Sequence, residues 1–312
     1  MGELLDLVGG HRRVSIVGMC KNAGKTTVLN KLISECASRV PAALCSVGRD
    51  GEKRDVISGL KKPGIFIEAG TLFATTTGLL ERCEVEAELV LSTGFGTPLG
   101  EVVALRALSG GFVELSGPSM NARLPELFDL FMSLGAGMIL IDGAVSRKAS
   151  VSPAVAGCSI LCVGADYDPD MRKAVSDTAH TAALLGAPGL PDDTAADVSL
   201  TGAVTDSVCD RIAGGKKRLA VDDAAARART GGTGAKTRLV ADDASKLMLS
   251  REALARLRAG GFELYVRDPV KLACICINPH CTLGRPDFNK GRFLREMQEA
   301  TDTPVVNVEE WS

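Results

Sequence analysis

Two glycines, a lysine and a threonine near the start of the chain have a spacing that suits phosphate binding. Gly18, Gly24, Lys25 and Thr26 approximate the pattern G-x-x-x-x-G-K-[ST], with five residues rather than four between the two glycines. Glycine permits backbone conformations that turn successive N–H groups toward one anion, and a following helix presents its positive end to the same point. The lysine can then reach the β- and γ-phosphates, and the threonine hydroxyl can bind Mg²⁺. The sequence predicts a nucleoside-triphosphate site made by Gly18, Lys21, Asn22, Ala23, Gly24, Lys25, Thr26 and Thr27.

Two acidic residues are candidates to complete this site. Asp142 ends the apolar run GMILID, so we expect it at the carboxyl end of a buried strand, where ligands bind in parallel sheets. Asp50 follows the second expected strand, in SVGRDGEKRD. The predicted Mg²⁺ ligands are Thr26, Asp50 and Asp142, and the predicted catalytic residues are Lys25, Asp50 and Asp142. The alternatives are a strand that ends in an ordinary turn at Asp142 and a polar surface turn at Asp50.

The base of the nucleotide is less sharply indicated. A guanine-specific Asn-Lys-x-Asp loop is absent from the sequence, which favours ATP. Asn278 ends a late expected strand and is a candidate contact to the adenine edge, although an Asn-Pro pair also favours a turn. Thr71 and Thr75–Thr77 could respond to the γ-phosphate or could cap a helix.

The elements that must position these residues alternate between strand and helix patterns. Short apolar runs without strict alternation are typical of strands buried on both faces, and the alternation predicts an α/β fold, a doubly wound and mainly parallel sheet. The strands are expected at Arg13–Val17, Ala43–Val47, Ile65–Glu68, Leu89–Ser92, Phe112–Ser116, Met138–Ile141, Ser159–Val163, Phe262–Val266, Ala273–Asn278 and Pro304–Val308. The helices are expected at Lys25–Arg39, Leu72–Cys83, Leu99–Leu108, Ala122–Leu134, Pro169–Leu185, Ser250–Ala259 and Asn289–Ala300.

Composition changes along the chain suggest its division. We expect a nucleotide-binding domain over residues 1–190 and a smaller α/β subdomain over 199–268, with residues 270–312 returning to the main sheet. A single large sheet extended by the C-terminal strands is the alternative. The charged, Gly/Ala-rich stretch at 213–238 is predicted to be a surface loop.

Ten cysteines, none in a CxxC pair, are expected to be reduced and buried. The one local cluster lies in CICINPHC and contains Cys274, Cys276, His280 and Cys281. Structural zinc sites use a wider, paired spacing, so buried strand cysteines are the favoured interpretation and a metal site is the alternative.

Charge and hydropathy narrow the class of protein. The 312-residue chain is 46% hydrophobic with a net charge of −2, which favours a globular protein and argues against a general nucleic-acid binder. No window approaches the length of a membrane span, and the first ten residues do not resemble a signal peptide. We therefore expect a cytoplasmic protein without a membrane partner.

The phosphate-loop stretch GMCKNAGKTT, with GRDGE and LIDGAVSRKAS, resembles the P-loop NTPase group of dethiobiotin synthetase and the MinD/Mrp-type ATPases. More narrowly, KNAGKTT, GRDGE, TPLGEVVALRALSGGFVELSGPS, DGAVSRKAS and INPH resemble the lysine 5,6-aminomutase reactivase subunit KamB family. This resemblance implies an ATPase that acts with a second ATPase subunit to replace damaged cobalamin in an adenosylcobalamin-dependent aminomutase. The second lysine of the MinD branch would fall at Cys20, whereas this chain has Lys21, which argues against the nucleotide-sandwich dimer of that branch. A homodimer of another kind is an open alternative.

Three classes of function compete at this stage. The first is an ATPase that drives a conformational cycle on a client enzyme, with STGFGTPLGEV and ELSGPSMNARLPEL as candidate client-facing segments or plain loops. The second is an ATP-dependent ligase or kinase that resembles dethiobiotin synthetase, in which an acidic substrate would contact Lys21, Ser146, Arg147 and Lys148. The third is a nucleotide-gated metallochaperone that uses CICINPHC.

Overall fold

Strands and helices alternate along most of the chain in a computed structural model that describes residues 4–47, 64–118, 121–143, 148–192, 194–213 and 236–311. The helices are α1 Leu4–Val8, α2 Lys25–Cys36, α3 Leu124–Ser133, α4 Met171–Leu185, α5 Asp206–Ala213, α6 Arg251–Ala259 and α7 Lys290–Ala300. The strands are β1 Arg13–Gly18, β2 Ala42–Ser46, β3 Ile65–Ile67, β4 Leu72–Thr76, β5 Ala87–Thr97, β6 Gly100–Ala107, β7 Gly111–Val113, β8 Met138–Asp142, β9 Cys158–Gly164, β10 Val198–Leu200, β11 Val204–Thr205, β12 Thr237–Asp243, β13 Leu247–Met248, β14 Phe262–Asp268, β15 Lys271–Asn278 and β16 Val305–Asn307.

A nine-stranded sheet organises the fold, in the order β16-β15-β9-β1-β8-β2-β4-β6-β5. Its strands run parallel from β16 to β4, and β6 and β5 then add an antiparallel edge. The expected α/β class with a large, mostly parallel sheet is confirmed. The carboxyl ends of β2, β8, β1, β9 and β15 therefore lie along one edge of the sheet.

Helices cover both faces of this sheet, because successive strand residues are buried on opposite sides. Leu140 of β8 packs in the same buried cluster as Val28 and Leu32 of α2. Its neighbours Ile139 and Ile141 pack in a second cluster with α3. Burial on two faces explains why β8 and β9 are apolar runs rather than alternating ones. The α2 helix is thereby fixed against the strand that precedes it.

Two expected helices are wrong, since the structure has strands there. Leu72–Cys83 contains β4 followed by a short 3₁₀ helix, and every residue of β4 is buried, which leaves no polar face for a surface helix. Its phenylalanine and threonines also favour strand geometry. Leu99–Leu108 contains β6, which pairs with β4 on one side and β5 on the other. Alanine, leucine, glutamate and arginine favour a helix locally, but sheet pairing overrides that weak preference.

The chain builds a smaller three-stranded parallel sheet, β10-β12-β14, before it returns to the main one. Leu239 and Val266 of this sheet pack with Leu254 and Leu257 of α6 in a separate buried cluster. β15 then pairs with β9, and β16 pairs with β15, at the edge of the nine-stranded sheet. Most of the surface loop expected at 213–238 lies outside the described residues, and its last two residues begin β12.

No helix within the described residues is both long enough and apolar enough to cross a membrane.

Candidate functional site

The Gly18–Thr27 loop joins β1 to α2 at the carboxyl edge of the main sheet. Its position is fixed at the start by the Met19 N–H, which donates to the Cys162 carbonyl of β9 at 2.8 Å. Gly24 precedes the helix with a φ of 92°, a left-handed conformation that favours glycine. The first N–H groups of any α-helix have no partner within that helix, and the N-cap residue Gly24 has no side chain that could accept them. The loop and helix start can therefore offer backbone donors to an anion.

The lysine side chain folds back across the first glycine. A Cβ atom built on Gly18 would lie 3.0 Å from Lys25 Cδ and 3.1 Å from its Cγ. Glycine at this position thus leaves room for the stem of a half-buried Lys25 over the loop. The partly exposed Thr26 and Thr27 follow in the first turn of α2.

Asp142 lies at the end of β8, next to the loop strand. It is in register with Ile16 of β1 on one side and with Ser46 of β2 on the other. Beyond it, the Gly143 N–H donates to the Ile16 carbonyl at 2.9 Å, and the Val47 N–H donates to the Asp142 carbonyl at 3.0 Å. The half-buried carboxylate thus comes from the expected edge of the sheet.

Several candidates cannot be placed beside it. Asp50, predicted as a metal ligand and catalytic residue, lies outside the described residues, as do Ser146 and Arg147.

A polar network clamps the loop from the side of β9 and β15. The Asn22 side-chain amide donates to Asp166 Oδ2 at 2.9 Å and to Thr282 Oγ1 at 2.7 Å. The Asn278 amide donates to the Asn22 carbonyl at 2.9 Å and accepts the His280 N–H at 3.2 Å. Asn278 therefore contacts the loop itself, with both ends of its amide engaged, whereas the sequence had suggested an adenine contact.

Asp166 and Thr282 belong to this network and were not singled out from the sequence. Partial burial raises the pKa of the Asp166 carboxyl, but the hydrogen bonds from Thr282 and Asn22 outweigh it and bring that pKa below its ordinary value. The group is therefore ionised at neutral pH. An acid just after the buried strand CSILCVG is the same signal that identified Asp142, and it could have identified Asp166.

The thiol within the loop stays protonated. Burial raises the pKa of Cys20, and this effect outweighs the lowering by a hydrogen bond from Gly164 and by the charge of Lys25. A protonated thiol is a weak nucleophile.

The candidate threonines and the two candidate client-facing segments lie in or beside strands of the main sheet. Thr75 and Thr76 are fully buried residues of β4, and Thr76 precedes the short 3₁₀ helix without a side-chain cap bond. The side-chain cap that was one alternative is therefore not formed by these two residues, and a response to the γ-phosphate stays a prediction. The STGFGTPLGEV segment forms the turn and facing ends of the β5–β6 hairpin, where Thr97 pairs with Gly100. In ELSGPSMNARLPEL, the Ser116 backbone bridges β2 and β4: its carbonyl accepts the Ser46 N–H at 3.4 Å, and its own N–H donates to the Ala74 carbonyl at 3.0 Å.

The CICINPHC cysteines are core residues. Cys274 and Cys276 are fully buried on β15, with their sulfur atoms 3.9 Å apart. Hydrogen bonds with the thiols of Cys162 and Cys274, together with burial, raise the pKa of Cys276 well above its ordinary value. His280 is exposed, and its ring contacts Asp287 at 3.1 Å. Over the ranges the structure describes, no group of three or more His, Cys, Asp and Glu side chains is placed to hold a metal.

Two cavities lie in other parts of the molecule. One of about 360 Å³ is lined by residues of α4, α6, β12 and β14, and one of about 190 Å³ lies between α4 and the segment from Ala244 to Leu249. Neither is lined by a residue of the loop. Backbone donors at a sheet edge can bind a phosphate chain in an open groove and do not require an apolar cavity. The position of the two cavities therefore does not argue against a phosphate site at the loop.

Comparison with models of protein families, with curated proteins and with solved structures gives no match for this chain.

Proposed function

We propose that the chain is a P-loop ATPase that binds MgATP at the Gly18–Thr27 loop. The observation that carries the proposal is the Lys25 stem, folded over Gly18 at the end of β1, with Asp142 at the end of the neighbouring strand β8. A lysine, backbone donors and a carboxylate on neighbouring strand ends are the groups that phosphoryl transfer requires.

The residues present fit the cofactors by their chemistry. A hydroxyl from Thr26 and a carboxylate from Asp142 are hard oxygen donors, which Mg²⁺ prefers. Mg²⁺ usually takes one or two carboxylates together with substrate phosphates and water, so a dedicated cage of acidic side chains is not required. When bound, Mg²⁺ neutralises charge that develops on the phosphate oxygens.

The chain's own groups would divide the work as follows. Backbone N–H groups of the loop and of the start of α2 bind the phosphates, and Lys25 supplies a positive charge beside them. Thr26 and Asp142 would hold the Mg²⁺ ion. Asp50 stays the candidate to complete the metal shell or to orient the attacking water.

The client is proposed from resemblance alone. The stretches similar to the KamB family extend over most of the chain, from the loop to INPH, and suggest a reactivating factor for an adenosylcobalamin-dependent aminomutase that acts with a second ATPase subunit. Hydrolysis would then drive release of damaged cofactor from the client.

The test is MgATP hydrolysis by the purified chain, measured alone and with an aminomutase inactivated by damage to its cobalamin. The second ATPase subunit is added in a parallel series, and the same aminomutase with intact cofactor is the matched control. We expect turnover to rise with the damaged enzyme only, together with recovered mutase activity. A rate of ATP hydrolysis that is the same with and without the damaged mutase would refute the assignment of this client. Stimulation of hydrolysis by a small carboxylate or amine instead would favour the ligase or kinase.

A further inference from the structure

Asp166 is placed to control the shape of the loop without being part of it. It follows β9 and faces Asn22, whose amide donates to Asp166 Oδ2 at 2.9 Å. The same carboxylate accepts the Thr282 N–H at 2.8 Å and the Thr282 hydroxyl. It therefore ties the loop to the segment after β15 through side-chain bonds to two elements far apart in sequence.

Asn22 is the residue whose backbone most needs such support. Its φ of 57° is left-handed, and among the described residues no other non-glycine residue has a positive φ. Left-handed backbone is unfavourable for an L-residue, although asparagine tolerates it better than most. Two bonds from its side chain and one to its carbonyl hold this conformation.

The end of β9 packs closely against the backbone of Asn22 and Ala23. A Cβ atom on Gly164, at the end of β9, would lie 3.1 Å from the Asn22 carbonyl oxygen and 3.2 Å from Ala23 Cα. The loop therefore rests directly on the strand that leads to Asp166. Asn22, which the carboxylate contacts, lies two residues before Gly24 and three before Lys25.

We propose that Asp166 is a positioning residue of the nucleotide site, which holds Asn22 in the left-handed conformation that directs the loop's N–H groups and Lys25 toward the phosphates. This inference rests on the proposed function. Asp166 acts through Asn22 and has no contact with the nucleotide in this scheme. Thr282 serves the same purpose, since it binds both the carboxylate and the Asn22 amide.

The test compares equilibrium ATP affinity, KM, kcat and Tm in Asp166→Ala, Asn22→Gly and the double variant. Glycine adopts a positive φ without help, so adding Asp166→Ala to Asn22→Gly should change ATP affinity by less than about threefold, whatever the affinity of Asn22→Gly itself. Asp166→Ala should bind about tenfold more weakly, the loss expected for a charge-assisted hydrogen bond that holds a loop. The double variant should bind like Asn22→Gly, because the conformation no longer needs the carboxylate.

Milder and matched variants keep the test decisive. Asp166→Asn and Thr282→Val retain the shape of the side chains and should weaken ATP binding in the same direction if Asp166→Ala folds poorly. Asp168→Ala is the control, because this nearby acid bonds Lys173 and the Asp170 N–H rather than the loop. It should leave ATP affinity unchanged.

If Asp166 only stabilised the fold, the variants would give a different result. Asp166→Ala would then lower Tm and ATP affinity equally in the wild-type and Asn22→Gly backgrounds, and that result would overturn the inference. Unchanged affinity in Asp166→Ala, Asp166→Asn and Thr282→Val would overturn it as well. A wild-type chain that binds no ATP would instead refute the proposed function, so the two failures are distinguishable.

Discussion

Replacing Gly24 by alanine perturbs both the backbone and the packing of the loop. Its φ of 92° is unfavourable for alanine by about 1–2 kcal/mol. The added Cβ would lie 3.3 Å from Asn278 Cβ and 3.4 Å from both methyl carbons of Val308, so these neighbours must shift by a few tenths of an ångström. Overpacking costs about 1–3 kcal/mol in well-packed sites, which brings the expected loss to roughly 2–5 kcal/mol.

Gly135→Ala is the matched control for this substitution. Its φ of 95° is nearly the same, but no atom lies within 4 Å of the added Cβ. The control should therefore lose only about 1–2 kcal/mol and keep full ATP affinity. Urea unfolding measures both losses, and equilibrium titration measures ATP binding. Equal stability losses in the two variants, or undiminished ATP binding by Gly24→Ala, would refute the packing of the loop against Asn278 described above.

Three further predictions concern the metal, the loop thiol and pH. Asp142→Asn should keep ATP binding in the absence of Mg²⁺ but lose most hydrolysis, and undiminished turnover would remove Asp142 from the metal set. Cys20 and Cys83 are the partly exposed cysteines; mass spectrometry after mild alkylation should find them labelled first, with MgATP protecting Cys20 and leaving Cys83 unchanged. The pKa of the Asp166 carboxyl is lowered from 3.8 in the folded protein, so its ionised form stabilises the fold above that pH and this contribution is lost as pH falls through the lower value. The Tm difference between wild type and Asp166→Asn should therefore be largest near neutral pH and shrink below about pH 4; a difference that grows with acid would contradict the assigned direction.

The strand, loop and helix around Lys25 could be predicted because local signals agree there. An apolar run, two glycines and an amphipathic helix occur in one continuous stretch, and the structure has β1 and α2 with nearly the expected bounds. The position of Asp142 could be predicted because a carboxylate at the end of a buried strand must lie at the edge where parallel strands end. These inferences needed no knowledge of distant contacts.

The sequence-based predictions miss features that depend on contacts between residues far apart in sequence. The β6 sequence has helix-forming residues, and its strand conformation comes from pairing with β4 and β5. The Asn22–Asp166–Thr282 network joins residues 144 and 260 positions apart, and spacing along the chain carries no record of such a contact. The contact of Asn278 with the Asn22 carbonyl is equally distant in sequence and could not be expected from spacing, whereas its bond to the nearby His280 N–H is one that an Asn-Pro turn suggests. The adenine contact of Asn278 stays a prediction.

The most direct test of the central claim is equilibrium binding of ATP, with and without Mg²⁺, to wild type, Lys25→Ala and Lys290→Ala. Lys290 is the matched control, because it is the exposed first residue of α7 as Lys25 is the first residue of α2. Wild type and Lys290→Ala should bind alike, whereas Lys25→Ala should bind about 10- to 100-fold more weakly, as expected for the loss of a charged hydrogen bond to phosphate. Equal ATP affinity in all three proteins would contradict the assignment of a nucleotide site to this loop.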